Sequence, residues 1–223
     1  RLALAGVAPA FFLLSVGLAI TVPGRTTSDP ADRSLWADLR ATAGSLRSPQ
    51  VAVAVLGATL MLFGFQAVTA FLTTYLVDVR SLTQATAGTY LSLLFVGGAT
   101  AQFTTGSLAD RFGTPQVLAA IAVVSTVPLI EGRVALAVLS FVIGVRASNG
   151  PISNAYIVDV LPDAIEGTAW GALRTAFFAV GSLGSTVVGS LADRGLFAES
   201  FYLLAGLTAL AALVYLRLPE RER

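Results

Sequence analysis

Apolar residues in this chain do not alternate with polar ones, nor do they keep to one helical face; they run on without a break. Successive apolar windows cover Leu2–Gly24, Ser48–Val77, Ser81–Ala109, Phe112–Ile130, a polar-interrupted stretch Val134–Val158, Gly167–Ala192 and Phe201–Leu216. A helix crossing a hydrocarbon core of about 30 Å needs roughly 20 apolar residues. The pattern therefore predicts seven transmembrane helices in an all-α polytopic bundle. Several windows exceed what a bilayer requires, so the helix ends are expected several residues inside them. Most connections are a handful of residues, which suits antiparallel neighbours. The first run lacks a charged leader and a cleavage site, so no signal peptide is expected.

Arg25–Arg47 is the long connection. Asp29, Pro30 and Asp32 read as a helix start, after which Leu35, Leu39, Thr42 and Leu46 fall near one helical face with Trp36 beside them. Tryptophan favours the membrane–water interface, so an amphipathic helix lying along the surface is expected there. A flexible linker with a short helical stretch is the plainer alternative.

Composition narrows the class. Hydrophobic residues make up 55% of the 223 and charged residues 12%, with mean hydropathy +0.79. A soluble domain would need more charge to wet its surface. Every one of the 14 basic residues is arginine, and lysine, histidine and cysteine are absent. That removes disulfides, thiolate nucleophiles and zinc-type clusters, so no metal or cofactor is expected. A net charge of +1 gives no reason to expect nucleic acid as a partner. The expected partners are membrane lipid and a small solute.

The arginines also give sidedness. With the long loop inside, Arg25, Arg33, Arg40, Arg47, Arg111, Arg217, Arg221 and Arg223 are cytoplasmic, and Arg1, Arg80, Arg133 and Arg194 lie outside. The long loop and the C-terminus are then both cytoplasmic, in a multi-pass protein of the cell membrane.

The hexapeptide GSLADR occurs at Gly106–Arg111 and again at Gly189–Arg194, 83 residues apart. It closes the third span and the sixth. Three crossings separate the copies, so they face opposite sides of the membrane, as in an inverted-topology repeat of two three-helix units. Chance repetition of common small residues is the alternative, and Asp-Arg at equivalent helix ends speaks against it.

With Gly106, Leu108, Ala109, Asp110, Arg111, Gly113 and, one place early, Leu118, the chain resembles the major facilitator superfamily of transporters, whose loop signature is G-x-L-A-D-R-x-G-R-K-x-x-x-L. Thr114-Pro115 stands where the signature has Arg-Lys. The resemblance covers essentially the whole chain and places it as the sixth to twelfth helices. It implies residues 1–24 as the last helix of a truncated N-terminal bundle, 25–49 as a cytoplasmic linker, 50–217 as a C-terminal six-helix bundle and 218–223 as a tail. The rest of the N-terminal half, about five helices, would then be a partner from the same polypeptide. The implied activity is secondary transport of a small solute by alternating access, as export or uptake, with no enzymatic role.

In this loop, Gly106 and Gly113 permit tight helix approach and positive φ, Asp110 can accept from a helix N-terminus, and Arg111 can pair with a carboxylate across helix ends. The family resemblance makes these residues a conformational latch; a solvated turn is the plainer reading. Ionisable groups deep in a membrane are functional candidates by default. Arg146 lies mid-span and begins RASNGPISNAY, with Asn149, Ser153 and Tyr156 on its face. Gly150-Pro151 interrupts that helix. R-x-x-N-G is similar to the family's R-x-x-Q-G motif on the equivalent helix of the other half, which lines the central cavity. Arg146, Asn149 and Ser153 are thus candidate substrate contacts, and a midplane arginine suits an anionic solute. Bonding of Arg146 to carbonyls freed by the break is the structural alternative.

Gln66, Thr69 and Thr73, near one face of the second span, are further cavity candidates, or helix–helix glue. Arg174 with Asp159 or Glu166 forms a candidate cytoplasmic gate. Gly98, Gln102 and Gly106, and likewise Gly181, Ser185 and Gly189, form small-residue stripes that the resemblance turns toward the other half. No carboxylate lies mid-span, so if the carrier is proton-coupled its acid is expected in the missing N-terminal half. A retinal protein would need a lysine. A seven-helix receptor or non-transporting sensor is the other class, suggested by Asp110-Arg111-Phe112 but opposed by the second GSLADR and the flanking glycines.

Overall fold

A computed structural model describes residues 17, 40, 42–125, 132–162 and 166–219. The chain divides into two compact units, Arg1–Ser34 and Leu35–Arg223. Of the first only Gly17 is described, in helical conformation, so the first expected span lies outside the described residues. So do Leu35, Trp36 and Leu39 of the expected surface helix. Of that helix, residues 42–45 are helical and 46–48 form a turn; Thr42 is buried and Leu46 exposed. Leu46 falls past the helix end and so does not share its face.

The second unit is helical, without strands among the described residues. Its helices are α1 (Pro49–Asp78), α2 (Gln84–Phe112), α3 (Thr114–Val124), α4 (Arg133–Gly144), α5 (Asn149–Asp159), α6 (Glu166–Ala192) and α7 (Phe197–Tyr215). A 3₁₀ turn, Val145–Ser148, joins α4 to α5. Local signals set the ends. Pro49 opens α1 at its first position, where a missing N–H costs nothing. Thr83 caps α2 by accepting from the Thr86 amide at 3.3 Å. At the end of α2 the chain reverses at Gly113, φ 92°, and after α6 at Gly195, φ 78°, conformations that glycine adopts without a Cβ clash.

Four described helical segments are long and apolar enough to cross a membrane: Pro49–Asp78, Val134–Asp159, Ala169–Ala192 and Phe197–Tyr215. α2 is 29 residues long, but its Thr, Ser, Gln and Gly residues dilute its hydropathy. α3 is described for 11 residues, up to Val124. The helices do not stop short of the apolar windows as expected: α1 runs 30 residues and α2 continues to Phe112. A helix satisfies its own backbone groups, so it can continue beyond the hydrocarbon without cost.

The main pairings are symmetric under exchange of the two triplets. α1 lies mainly against α6 and α7, α2 mainly against α4 and the 3₁₀ turn, and α3 against α7. Exchanging α1, α2 and α3 with α4–α5, α6 and α7 maps the pairing of α1 with α6 onto that of the broken span with α2 and leaves α3 against α7, whereas α1 packs more closely on α7 than α3 does on the broken span. Glycines make the two principal pairings close. A Cβ on Gly98 would meet the Ala147 Cβ at 2.8 Å, and one on Gly181 would meet Leu62 Cγ at 2.7 Å. Gly98 and Gly181 are separated by the same 83 residues as the hexapeptides. Both are buried inside this bundle rather than turned outward, whereas Gln102 and Gly106 on the same stripe are exposed.

Two apolar cores result, stacked along the helices. One gathers Met61, Leu118, Ile152, Ala211 and Tyr215. The other gathers Ala67, Leu72, Leu94, Ile143 and Leu204. On α1 the boundary between them falls at Gly64, on α7 at Thr208, and on the broken span at Arg146–Asn149. A polar layer sits there.

Candidate functional site

Arg146 lies in the 3₁₀ turn. The break was expected at Gly150-Pro151 but falls one turn earlier, for a reason that lies in proline. Pro151 has no N–H for the carbonyl of Ala147, and its ring crowds that carbonyl, so the turn before it tightens to i→i+3 bonding. The Asn149 amide accordingly donates to the Arg146 carbonyl. In a 3₁₀ turn residues i and i+3 eclipse, which stacks Arg146 and Asn149 on one line.

Arg146 is 3% exposed, as is Asn149, and Ser153 is 2% exposed. The guanidinium reaches α7, where Nη2 donates to Thr208 Oγ1, and Thr208 in turn donates to the Leu204 carbonyl at 2.7 Å. On the α1 side Gly64 makes room for it: a Cβ there would meet Nη2 at 2.9 Å. The Tyr215 hydroxyl donates to Asn149 Oδ1 at 3.1 Å. Arg146 Nε and Asn149 Nδ2 are buried with no acceptor. Leaving a buried donor unmatched typically costs about 1–3 kcal/mol, and more when it is charged.

Arg146, Asn149 and Ser153 line a cavity of about 350 Å³. Gln102 and Asn154 add polar edges, and Met61, Leu62, Phe65, Phe95, Phe177 and Phe178 give an apolar, aromatic wall. Among the described residues no carboxylate lines it. Gln66, Thr69 and Thr73 are half-buried on α1 and do not line this cavity; α1 contributes Ala58, Met61, Leu62 and Phe65 instead. Thr69 donates to its own helix at the Phe65 carbonyl, 2.8 Å. Gln102 and Asn154 could have been found as polar residues within apolar spans. The phenylalanines could not, because nothing local separates a cavity-facing aromatic from a lipid-facing one.

A second hollow, of about 300 Å³, brings Asp110 of the first hexapeptide together with Asp159, and with Gly106, Thr114, Pro151 and Tyr156. Gln102 lines both cavities. Arg111 is exposed and lies over the Phe112 ring, 5.3 Å to the centroid. Arg174 is exposed and lies over Trp170 and Phe178, at 5.7 and 5.5 Å. Of the candidate gate, then, Asp159 faces Asp110 across a hollow, while Arg174 rests on aromatic faces. Glu166 begins α6, and its side chain is outside the described residues. A larger hollow, about 530 Å³, between α2, α3 and α4 has no charged lining residue among the described residues. Among the described residues no cluster of His, Cys, Asp or Glu could hold a metal.

No curated protein matches the chain. A family model described as Major Facilitator Superfamily matches residues 54–223, which takes in α2 to α7 and all of α1 but its first turn. An all-α membrane bundle of two exchangeable helix triplets around a buried polar layer is thus joined to a direct family match, and the chain belongs to the Major Facilitator Superfamily.

Proposed function

We propose that this member of a transporter family is a secondary carrier that moves a small anionic solute by alternating access around the Arg146 cavity. One observation carries the reading: Arg146 is buried, lines a cavity and keeps an unmatched N–H, and among the described residues no carboxylate lines that cavity. Buried charges are ordinarily paired. An anion entering the cavity supplies the missing partner, and the aromatic wall suits an apolar body on that anion. The N-terminal bundle of the complete protein would close the site, and the Asp110–Asp159 hollow adjoining it through Gln102 would form part of the cytoplasmic gate. The arginine distribution supports a multi-pass cell-membrane protein with long loop and C-terminus cytoplasmic.

The test is Arg146→Gln in the complete protein reconstituted into vesicles, with labelled 2-naphthoate as the probe. Native vesicles take it up saturably, and the variant loses at least tenfold in uptake, the order expected for a hydrogen bond to a charged group. Equal uptake by both proteins would sink the role of Arg146. Saturable binding by the native protein without translocation would favour the sensor reading instead.

A further inference from the structure

Resting on that reading, the polarity of the site narrows its ligand further. Arg146 has only donors to offer. An asparagine amide has both donors and an acceptor, but here the acceptor is taken: Oδ1 receives the Tyr215 hydroxyl at 3.1 Å, and Nδ2 is left without a partner. Ser153 directs its hydroxyl hydrogen to the Gly150 carbonyl at 3.2 Å. The polar layer thus holds two unmatched donors, one on Arg146 and one on Asn149, brought into line by the 3₁₀ turn. Both nitrogens are covered in this conformation, and the residues that carry them line the cavity, so a solute there meets these donors once the side chains turn. Each N–H belongs to a rigid planar group, so turning it toward that solute requires the Nη2–Thr208 or the Tyr215–Oδ1 hydrogen bond to adjust with it.

We infer that the carrier recognises an amphiphilic oxyanion, a carboxylate or its equivalent on an apolar body, through Arg146 Nε and Asn149 Nδ2 together, and that Tyr215 is the positioning residue that makes Asn149 a donor. An oxyanion is acceptor-only and matches two donors; the corresponding amide carries its own N–H groups and leaves a donor facing a donor. Tyr215 is placed for this by α1. Its ring packs where a Cβ on Gly57 would stand, 2.7 Å from Cζ, which fixes the hydroxyl at Asn149 from across the bundle.

The experiment compares equilibrium binding of 2-naphthoate and 2-naphthamide to the complete protein, native, Tyr215→Phe and Asn149→Asp. The native protein prefers the carboxylate by at least tenfold. Tyr215→Phe frees the amide to turn its oxygen toward the ligand, so that preference falls about tenfold, mostly through loss of carboxylate affinity. Asn149→Asp, which is isosteric, sets an acceptor beside Arg146 and abolishes carboxylate binding while the thermal melt stays cooperative. It keeps the test decisive should Tyr215→Phe fail to fold. A native protein without carboxylate preference overturns the anionic reading itself. A native preference that survives in the variants overturns the roles of Asn149 and Tyr215 alone.

Discussion

Gly64 and Gly57 lie two turns apart on α1, and each leaves space that a neighbour fills: Arg146 at Gly64, Tyr215 at Gly57. Gly64→Ala separates stability from function. The added methyl would stand 2.9 Å from Nη2 and 3.0 Å from Cζ, so the guanidinium, the tip of a flexible chain, has to move. Overpacking costs about 1–3 kcal/mol, while alanine gains about 1 kcal/mol over glycine in a helix. The melting temperature should therefore shift by only a few degrees, while affinity for 2-naphthoate falls about tenfold as Arg146 leaves its line with Asn149. A titration beside a thermal melt checks both; unchanged affinity would mean that Arg146 need not sit where Gly64 permits. Arg146 and Asn149 stood out in the sequence because charge and amide are conspicuous in an apolar run. Thr208 and Tyr215 did not, since their link to the site spans 62 and 66 residues and depends on how α7 docks.

Proline acts on the turn before it, which decides where the broken span presents its side chains. Restoring an N–H with Pro151→Ala lets residue 151 bond the Ala147 carbonyl and carries the α-helix through Val145–Ser148. Residues three apart then diverge by about 60° instead of eclipsing. The expected result is a fold as stable as the native or more so, with 2-naphthoate affinity down at least tenfold; retained affinity would show that the 3₁₀ register is incidental. The spans themselves were legible because a membrane helix announces itself by length and apolarity. Which arc of a helix faces a cavity was not. Gln66, Thr69 and Thr73 share a face of α1, yet the described cavity meets α1 nearer its start, at Ala58, Met61, Leu62 and Phe65. That choice is made by neighbours, through close approaches such as Gly184 against the Phe63 carbonyl and Gly144 against the Leu94 carbonyl. Such glycines are visible in a sequence, but their partners are not.

At the scale of the molecule, the two hexapeptides make a prediction about sidedness. The first lies wholly within α2 and leads to Gly113; the second ends α6 and leads to Gly195. If the triplets are related by an axis in the membrane plane, these chain reversals lie on opposite faces, the first cytoplasmic. This chain has no cysteine, so once any cysteine in the rest of the complete protein is replaced, single replacements report position without background. Phe112 is 57% exposed and Leu196 is 42% exposed, so each residue is open to reagent at its reversal. In intact cells, Leu196→Cys should react with a membrane-impermeant maleimide, and Phe112→Cys should react only after the membrane is opened. Reaction of both from outside would place the reversals on one face and refute the inverted repeat. The opposite pattern would keep the repeat and reverse the orientation, setting the Asp110–Asp159 hollow at the outer mouth. In that case the arginine excess of the long loop would have to be held outside, against the bias that orients most membrane proteins. The labelling pattern therefore decides on which face of the membrane the Asp110–Asp159 hollow lies.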